Sequence, residues 1–275
     1  MGKLYAAERP EGIYTQRLEK IEAQLNSWLP ENPDSSWLEK VFLTPGENIS
    51  PALLKSLSFP GWDLVNRGGK RWRPLLMVLI AEALAGEKGA VAALSLSPLV
   101  EFAHNASLIH DDIEDNSDER RGKPAVHLLY GNDVAINSGS FLYFLSLACI
   151  SSLDFLPQEK NRIFETYGIY MRRLHLGQAM DISWHNDFFS FPKIEEYERM
   201  CRLKTGCLAR LAAVLGLFCA ESKLDGNLKE PTPTLCGRMT APNISNMKRS
   251  FMPNFAEKLG EGAEKLGLGF RFWTM

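Results

Sequence analysis

A chain of 275 residues is long enough to bury a substantial core, as one large domain or two small ones. Its 45% hydrophobic content and formal net charge of −2 describe an ordinary soluble protein. They exclude a nucleic-acid partner held by bulk positive charge. Five cysteines (Cys149, Cys201, Cys207, Cys219, Cys236) are odd in number and lack Cys-x-x-Cys spacing. That pattern predicts reduced thiols in a cytoplasmic setting rather than a disulfide frame.

In chain order, the opening MGKLYAAERPEG has no apolar run long enough for a signal peptide. Ala6 also stands where a myristoylation signal requires Ser or Thr. Tyr14, Leu18, Ile21, Leu25 and Trp28 recur at helical spacing and predict a first helix that Pro30 ends. Residues 31–49, with Pro33, Pro45 and Gly46, predict a short helix between loops. Pro51 suits the first turn of a helix reaching about Asn66. Gly68 and Gly69 break it, and the next helix starts over residues 74–84. Residues 90–115 predict one long helix, bent or interrupted at Pro98.

Residues 134–153 are uncharged for twenty positions, the length of a membrane span. Asn137, Ser138, Gly139, Ser140, Ser146, Ser151 and Ser152 dilute that stretch, so the expectation is a fully buried helix and no integral membrane span. Helices over about 158–185 and 193–220 follow. Alternating strand patterns are nearly absent. The expected fold is all-α, a bundle of antiparallel helices. Beyond residue 220 the character changes: residues 225–254 hold four prolines and predict irregular chain. Residues 255–270 regain a helical pattern, weakened by four glycines. The expected organisation is a helical domain over 1–220 and a divergent segment over 221–275.

The chemistry concentrates near residue 111. Asp111, Asp112, Glu114, Asp115, Asp118 and Glu119 directly precede Arg120, Arg121 and Lys123. On a helix, His104, Asp111 and Asp115 share one polar stripe. Two carboxylates one turn apart repel, and a dication between them relieves the repulsion. Hard oxygen ligands at this spacing suit Mg²⁺, which completes its shell with water and substrate phosphate. The arginines that follow have the fork geometry for diphosphate oxygens. A calcium-binding loop is excluded, because no Asp/Asn-Gly pattern follows. The bland alternative is a solvated acidic helix end with a basic turn.

Three further spots break the apolar pattern. Lys204 lies on the stripe Tyr197, Cys201, Leu208, Leu211, where an unpaired ammonium is costly. Gln178 and Asp181 end the stripe Ile163, Tyr167, Tyr170, Leu174. Lys70, Arg71 and Arg73 gather at a helix start after Gly68-Gly69, where unpaired N–H groups already favour an anion. Each has a plain structural alternative: a snorkelling lysine, a mutual hydrogen bond, a solvated basic turn.

Together these segments resemble the trans-polyprenyl diphosphate synthase family. GGKRWRP at 68–74, SLIHDDIEDNSDERRGKPAVH at 107–127, GQAMD at 177–181 and KTG at 204–206 stand in the family's order. The resemblance implies an isoprenoid-synthase helix bundle around a central cavity, commonly a homodimer. It implies Asp111 and Asp115 as Mg²⁺ ligands with Asp112 nearby, and Lys70, Arg73, His104 and Arg121 as contacts to isopentenyl diphosphate. Arg120, Lys204 and Thr205 are then contacts to an allylic prenyl diphosphate, flanked by Gln178 and Asp181, with Arg71 included in the basic cradle. The implied reaction ionises the allylic diphosphate, the double bond of isopentenyl diphosphate captures the cation, and a proton is then lost to the departing diphosphate. Ala103, Ala106 and Ser107, just before the first aspartate, would line the chain-length pocket, and none is aromatic.

The resemblance fails at the second aspartate-rich motif. After Asp181 only Asp187 and Asp225 remain, and Arg271 stands where the family has Gln. The expectation is a C-terminally incomplete fold that binds Mg²⁺ and diphosphates but turns over slowly or not at all. Two other readings follow: a non-catalytic subunit of a heteromeric prenyltransferase, or a terpene cyclase. The second basic cradle argues against the cyclase, which takes a single diphosphate substrate.

Overall fold

Helix-forming stretches separated by proline, glycine and short polar turns produce an all-α fold, with one very short hairpin among the described residues. The computed structural model describes residues 10–44, 49–186 and 191–223, with residues 258, 261, 262, 264 and 265. The expected irregular stretch 225–254 and the departures near Arg271 lie outside the described residues. Two compact units emerge, one formed by Met1–Leu75 with Ser97–Ser146, the other by Leu76–Leu96 with Leu147–Met275.

The first unit begins with α1 (Pro10–Trp28) and α2 (Ser35–Phe42). Asp34 caps α2 by accepting the Trp37 N–H at 2.9 Å. Helix α3 (Pro51–Asn66) has Ser50 as its cap and Pro51 in its first turn, within the bounds the sequence predicts. Pro60 interrupts the ladder inside α3, and the next amide, Gly61 N–H, donates to Ser138 Oγ at 3.0 Å. Helix α4 (Trp72–Ser95) opens the path out of the first unit, kinked at Gly86, where φ is 61°. Helix α5 (Ser97–Glu114) returns to the first unit and packs on α1 and α3. Its Phe102, Ala103, Ala106 and Ile109 are fully buried.

Of the two expectations for residues 90–115, a bend or an interruption, the structure shows an interruption between α4 and α5. Pro98 occupies the first turn of α5, where its missing N–H costs nothing, rather than a bend in mid-helix. Strands β1 (Glu119–Arg120) and β2 (Lys123–Pro124) pair antiparallel, with Arg120 opposite Lys123. Two-residue strands carry no periodicity, so the sequence did not announce them. Helix α6 (Val126–Tyr130) then leads into α7 (Asn132–Ser151).

Helix α7 corrects an expectation, because it is not fully buried. Ile136 is 48% exposed and Phe144 70%, while Ser138 and Ser146 face inward. The inversion has a cause: Gly139 lets α5 approach closely, and a Cβ there would stand 2.7 Å from the His110 ring. A helix uncharged beyond its first turn does not declare which side is inner. Helix α7 and the segment Ile194–Lys223 are both long and apolar enough to cross a membrane, and most of the apolar stretch of the second is buried within the protein.

The second unit is built on α8 (Pro157–Asn186), α9 (Ile194–Cys201) and α10 (Cys207–Lys223). Between α9 and α10 the chain makes a π-helical turn, Arg202–Gly206, that interrupts the single helix expected over 193–220. Gly216 admits the α4 backbone: a Cβ there would lie 2.6 Å from the Met77 carbonyl oxygen. Cys149, Cys201, Cys207 and Cys219 are buried. Burial pushes the Cys219 thiol far up, which makes it a packing residue rather than a nucleophile.

Candidate active site

The site in the first unit is built where α5 ends. Asp111 lies on its last turn, and Asp115 follows it, with the Asp115 N–H donating to the Asp111 carbonyl at 2.8 Å. Helical spacing therefore continues through both, and both carboxylates reach the surface region. Asp112 does not share that face. It is fully buried, and its Oδ1 accepts from Nε of Arg120 at 2.8 Å and from Nη2 of the same guanidinium. Arg120 is thereby anchored to the protein through Asp112. The bond to Asp112 holds its charge firmly, outweighing the cost of burial. Nη2 of Arg120 also stands 3.9 Å from Asp111 Oδ2.

Arg121 and Gly122 form the two-residue turn between β1 and β2, with φ of 55° and 73°. Positive φ at both centres is what a tight hairpin requires, since this turn matches the strand twist. Gly122 adopts it freely, whereas for arginine the left-handed region costs about 1–2 kcal/mol. A hydrogen bond from Arg121 Nη1 to the Leu64 carbonyl, at 3.0 Å, offsets that cost. The glycine pair of the other basic segment lies alongside. Gly69 has φ of 157°, and a Cβ on it would stand 3.6 Å from the Arg121 guanidinium carbon. GGKRWRP and ERRGKP are neighbours in space, although some fifty residues part them in sequence.

Of the cations in the first segment, Lys70 is exposed, and Arg73 is half-buried with its guanidinium 4.6 Å over the Trp72 ring. His104 comes from α5. Burial first, then the charges of Arg73, Arg121, Arg71 and Arg120, push its pKa well below the usual histidine value. It therefore enters this basic cluster as a neutral hydrogen-bonding group. Burial and the neighbouring guanidinium groups also lower the pKa of Arg121, which stays charged.

Arg71 is placed differently from its neighbours, which corrects its expected role as a substrate contact. Its side chain is 1% exposed and fully committed: Nε to Glu22 at 2.7 Å, Nη1 to Glu101 at 2.9 Å and Nη2 to the Val65 carbonyl at 2.6 Å. The residue has φ of 46°, so strain is held in place by these contacts. Arg71 secures the loop that presents Lys70 and Arg73. Glu22, Glu101, Asp63 and Arg67, which take part in the same framework, were missed in the sequence. The only signal was the Asp63–Arg67 spacing of four, a common helix-surface pair.

Ala103 and Ala106 are fully buried on α5, and Ser107 is half-buried with its hydroxyl donating to the His104 carbonyl at 2.7 Å. No aromatic side chain is contributed by these three positions.

The second unit holds the remaining candidates. Lys204 sits in the π-helical turn and pairs with Asp181 of α8 at 2.5 Å, the anion that its otherwise apolar setting demands. Gln178 and Thr205 are half-buried on the same two elements. The turn lies directly on α8 because residue 177 is glycine: a Cβ there would stand 2.7 Å from the Leu203 carbonyl carbon and 2.8 Å from its Cβ. A π-turn inside a helix often marks a functional position. Gly177→Ala is expected to cost about 1–3 kcal/mol and to separate Lys204 from Asp181. An unaltered thermal unfolding curve would disprove the close approach.

The chemistry of the donor set fits Mg²⁺. Asp111 and Asp115 offer hard oxygens one turn apart, and beside them Asp112 Oδ2 is buried without a hydrogen bond. No group of three His, Cys, Asp or Glu residues forms a complete cage among the described residues. Mg²⁺ does not call for one, since it binds through one or two carboxylates, water and substrate phosphates.

Comparison with known proteins places this arrangement. Residues 55–234 match the polyprenyl synthetase family. The crystal structure of geranylgeranyl pyrophosphate synthetase from Pyrococcus horikoshii Ot3 shares the fold, with a TM-score of 0.71 over 97% of this chain and 66% of that one, at 24% identity. The class is therefore an all-α synthase fold carrying a basic, acid-flanked site. The chain belongs to the polyprenyl synthetase family. It is 35% identical over 180 residues to a geranylfarnesyl diphosphate synthase of Aeropyrum pernix, covering 63% of this chain and 54% of that protein. It is 32% identical over 207 residues to a geranylgeranyl pyrophosphate synthase of Eremothecium gossypii, covering 72% of this chain and 64% of that protein. The chain spans about half the length of the curated relatives it matches.

Proposed function

We propose that this chain is a prenyltransferase of the cytoplasm that joins isopentenyl diphosphate to an allylic prenyl diphosphate. The observation that carries this reading is the meeting of the GGKRWRP loop and the ERRGKP hairpin at one end of α3, beside the carboxylates of α5. Fixed cations there match the oxygens of a diphosphate, and they need no rearrangement as leaving-group charge develops. Mg²⁺ held by Asp111 and Asp115 would, when bound, withdraw charge from the same group.

Lys70, Arg73 and Arg121 neutralise one diphosphate, with neutral His104 as a hydrogen-bonding partner that adds no repulsion between cations. Arg120 is held by Asp112 with its fork towards the acidic side, ready for the departing diphosphate. In the second unit Lys204, balanced by Asp181, and Thr205 offer further donors to a diphosphate. The buried Ala103 and Ala106 leave room for a long prenyl tail, so products of twenty carbons or more are expected. The names of the relatives, geranylgeranyl and geranylfarnesyl synthases, support that size. Self-association into a dimer, or with another prenyltransferase subunit, completes the proposal.

The test is product analysis of the full chain with Mg²⁺, labelled isopentenyl diphosphate and allylic primers of several lengths. Any product, formed slowly, is expected to be a longer prenyl diphosphate, and Ala106→Phe should shorten it. Product of unchanged length from Ala106→Phe would remove the pocket assignment. Absence of both product and Mg²⁺-dependent pyrophosphate binding would remove the proposed function.

A further inference from the structure

The C-terminal end of α3 receives three arginines. Its carbonyls at Leu64 and Val65, which lie where intrahelical donors run out, accept hydrogen bonds from Arg121 at 3.0 Å and Arg71 at 2.6 Å. The partial negative charge of a helix C-terminus favours cations there. The third arginine, Arg67, caps α3 itself, and its side chain is 1% exposed. Its Nη1 donates to two carbonyls of the hairpin, Arg120 at 3.1 Å and Pro124 at 2.9 Å, one on each strand. Its Nη2 donates to Asp63 Oδ2 at 2.6 Å, and Asp63 also meets Lys123 at 3.5 Å and the Tyr130 hydroxyl at 3.3 Å. Burial alone would raise the Asp63 pKa, but Arg67 and then Lys123 pull it below the usual value, so the carboxylate stays ionised.

We infer that Arg67 is a positioning residue: it clamps both strands of the hairpin to α3, and so sets where Arg121 presents its charge. The inference rests on the proposed diphosphate site. Arg67 points at backbone oxygens, so its effect on a ligand passes through the hairpin and not through its own charge. A planar fork reaches two carbonyls and a carboxylate at once, which the point charge of lysine cannot do. The hairpin depends on such help, because two-residue strands with an arginine in the left-handed region do not hold themselves together.

The experiment is calorimetric titration of inorganic pyrophosphate into the full chain with Mg²⁺, with helical content checked by circular dichroism. Arg67→Lys, which keeps the charge, is expected to weaken binding about tenfold, the worth of one hydrogen bond to a charged group. In an Arg121→Ala background the same change should matter less than about twofold, since its effect runs through Arg121. Should Arg67→Lys fail to fold, Asp63→Asn leaves Arg67 in place without its anchor and carries the same two expectations. Binding within about twofold of the unaltered chain, or an equal loss in both backgrounds, would overturn the positioning role. Failure of the unaltered chain to bind pyrophosphate would instead defeat the proposed function, and this inference with it.

Discussion

Arg71→Ala is expected to destabilise the protein by about 3–5 kcal/mol, because it breaks a buried ion pair from one side only. The guanidinium is the partner of Glu101, whose side chain is 4% exposed, and removing it strands a carboxylate with no route to water. Glu22 suffers less, being 37% exposed and able to hydrate. Asn105 Nδ2 donates to Glu101 at 3.2 Å but carries no charge to replace the lost one. Replacing both partners, Arg71→Met with Glu101→Leu, should recover most of the stability, since a buried ion pair exchanged for apolar groups is often neutral or better. For a chain of this size the single change corresponds to a fall in melting temperature of roughly 10 °C. A melting curve that Arg71→Ala leaves in place would show that the buried pair contributes nothing.

Replacing Asp111 and Asp115 together by asparagine is expected to abolish the Mg²⁺-dependent part of diphosphate binding, a loss of about 10²–10³ in affinity. Chelation of the metal from the unaltered chain should reproduce the loss. The same double change should leave stability level or slightly higher. Like charges one turn apart on a helix destabilise it by about 0.2–0.5 kcal/mol, and that repulsion disappears with the carboxylates. Opposite signs for binding and stability are the mark of residues kept for a ligand. A pyrophosphate affinity that responds to Mg²⁺ equally in both chains would place the metal elsewhere.

These two predictions separate residues that sit side by side in the sequence. Lys70, Arg71 and Arg73 look alike as a basic turn, yet one is exposed, one is sealed against two carboxylates and one lies over an indole ring. Asp111, Asp112 and Asp115 look like one acidic cluster, yet Asp112 turns inward to Arg120. In the acidic cluster the difference comes from helical phase: Asp112, next to Asp111 on α5, points about a quarter turn away, into the protein.

Local rules were legible without coordinates. Proline marked the start of α3, the glycine pair its end, and periodicity revealed α1, α8 and the apolar half of α5. The all-α class and the ordered motifs followed from such short-range patterns, since caps, turns and amphipathic stripes act within a few residues. What only the tertiary structure decided involves partners far apart in the chain. Glu22 joining Arg71 across forty-nine residues, Arg67 reaching the hairpin across fifty-seven, and Gly177 yielding space to the turn that holds Lys204 leave no periodic trace. The amino acids by themselves offered the charges proposed to meet a diphosphate. Packing chose which of them stay available and which hold the others still, because burial and long-range hydrogen bonds exist only once distant segments share one interior.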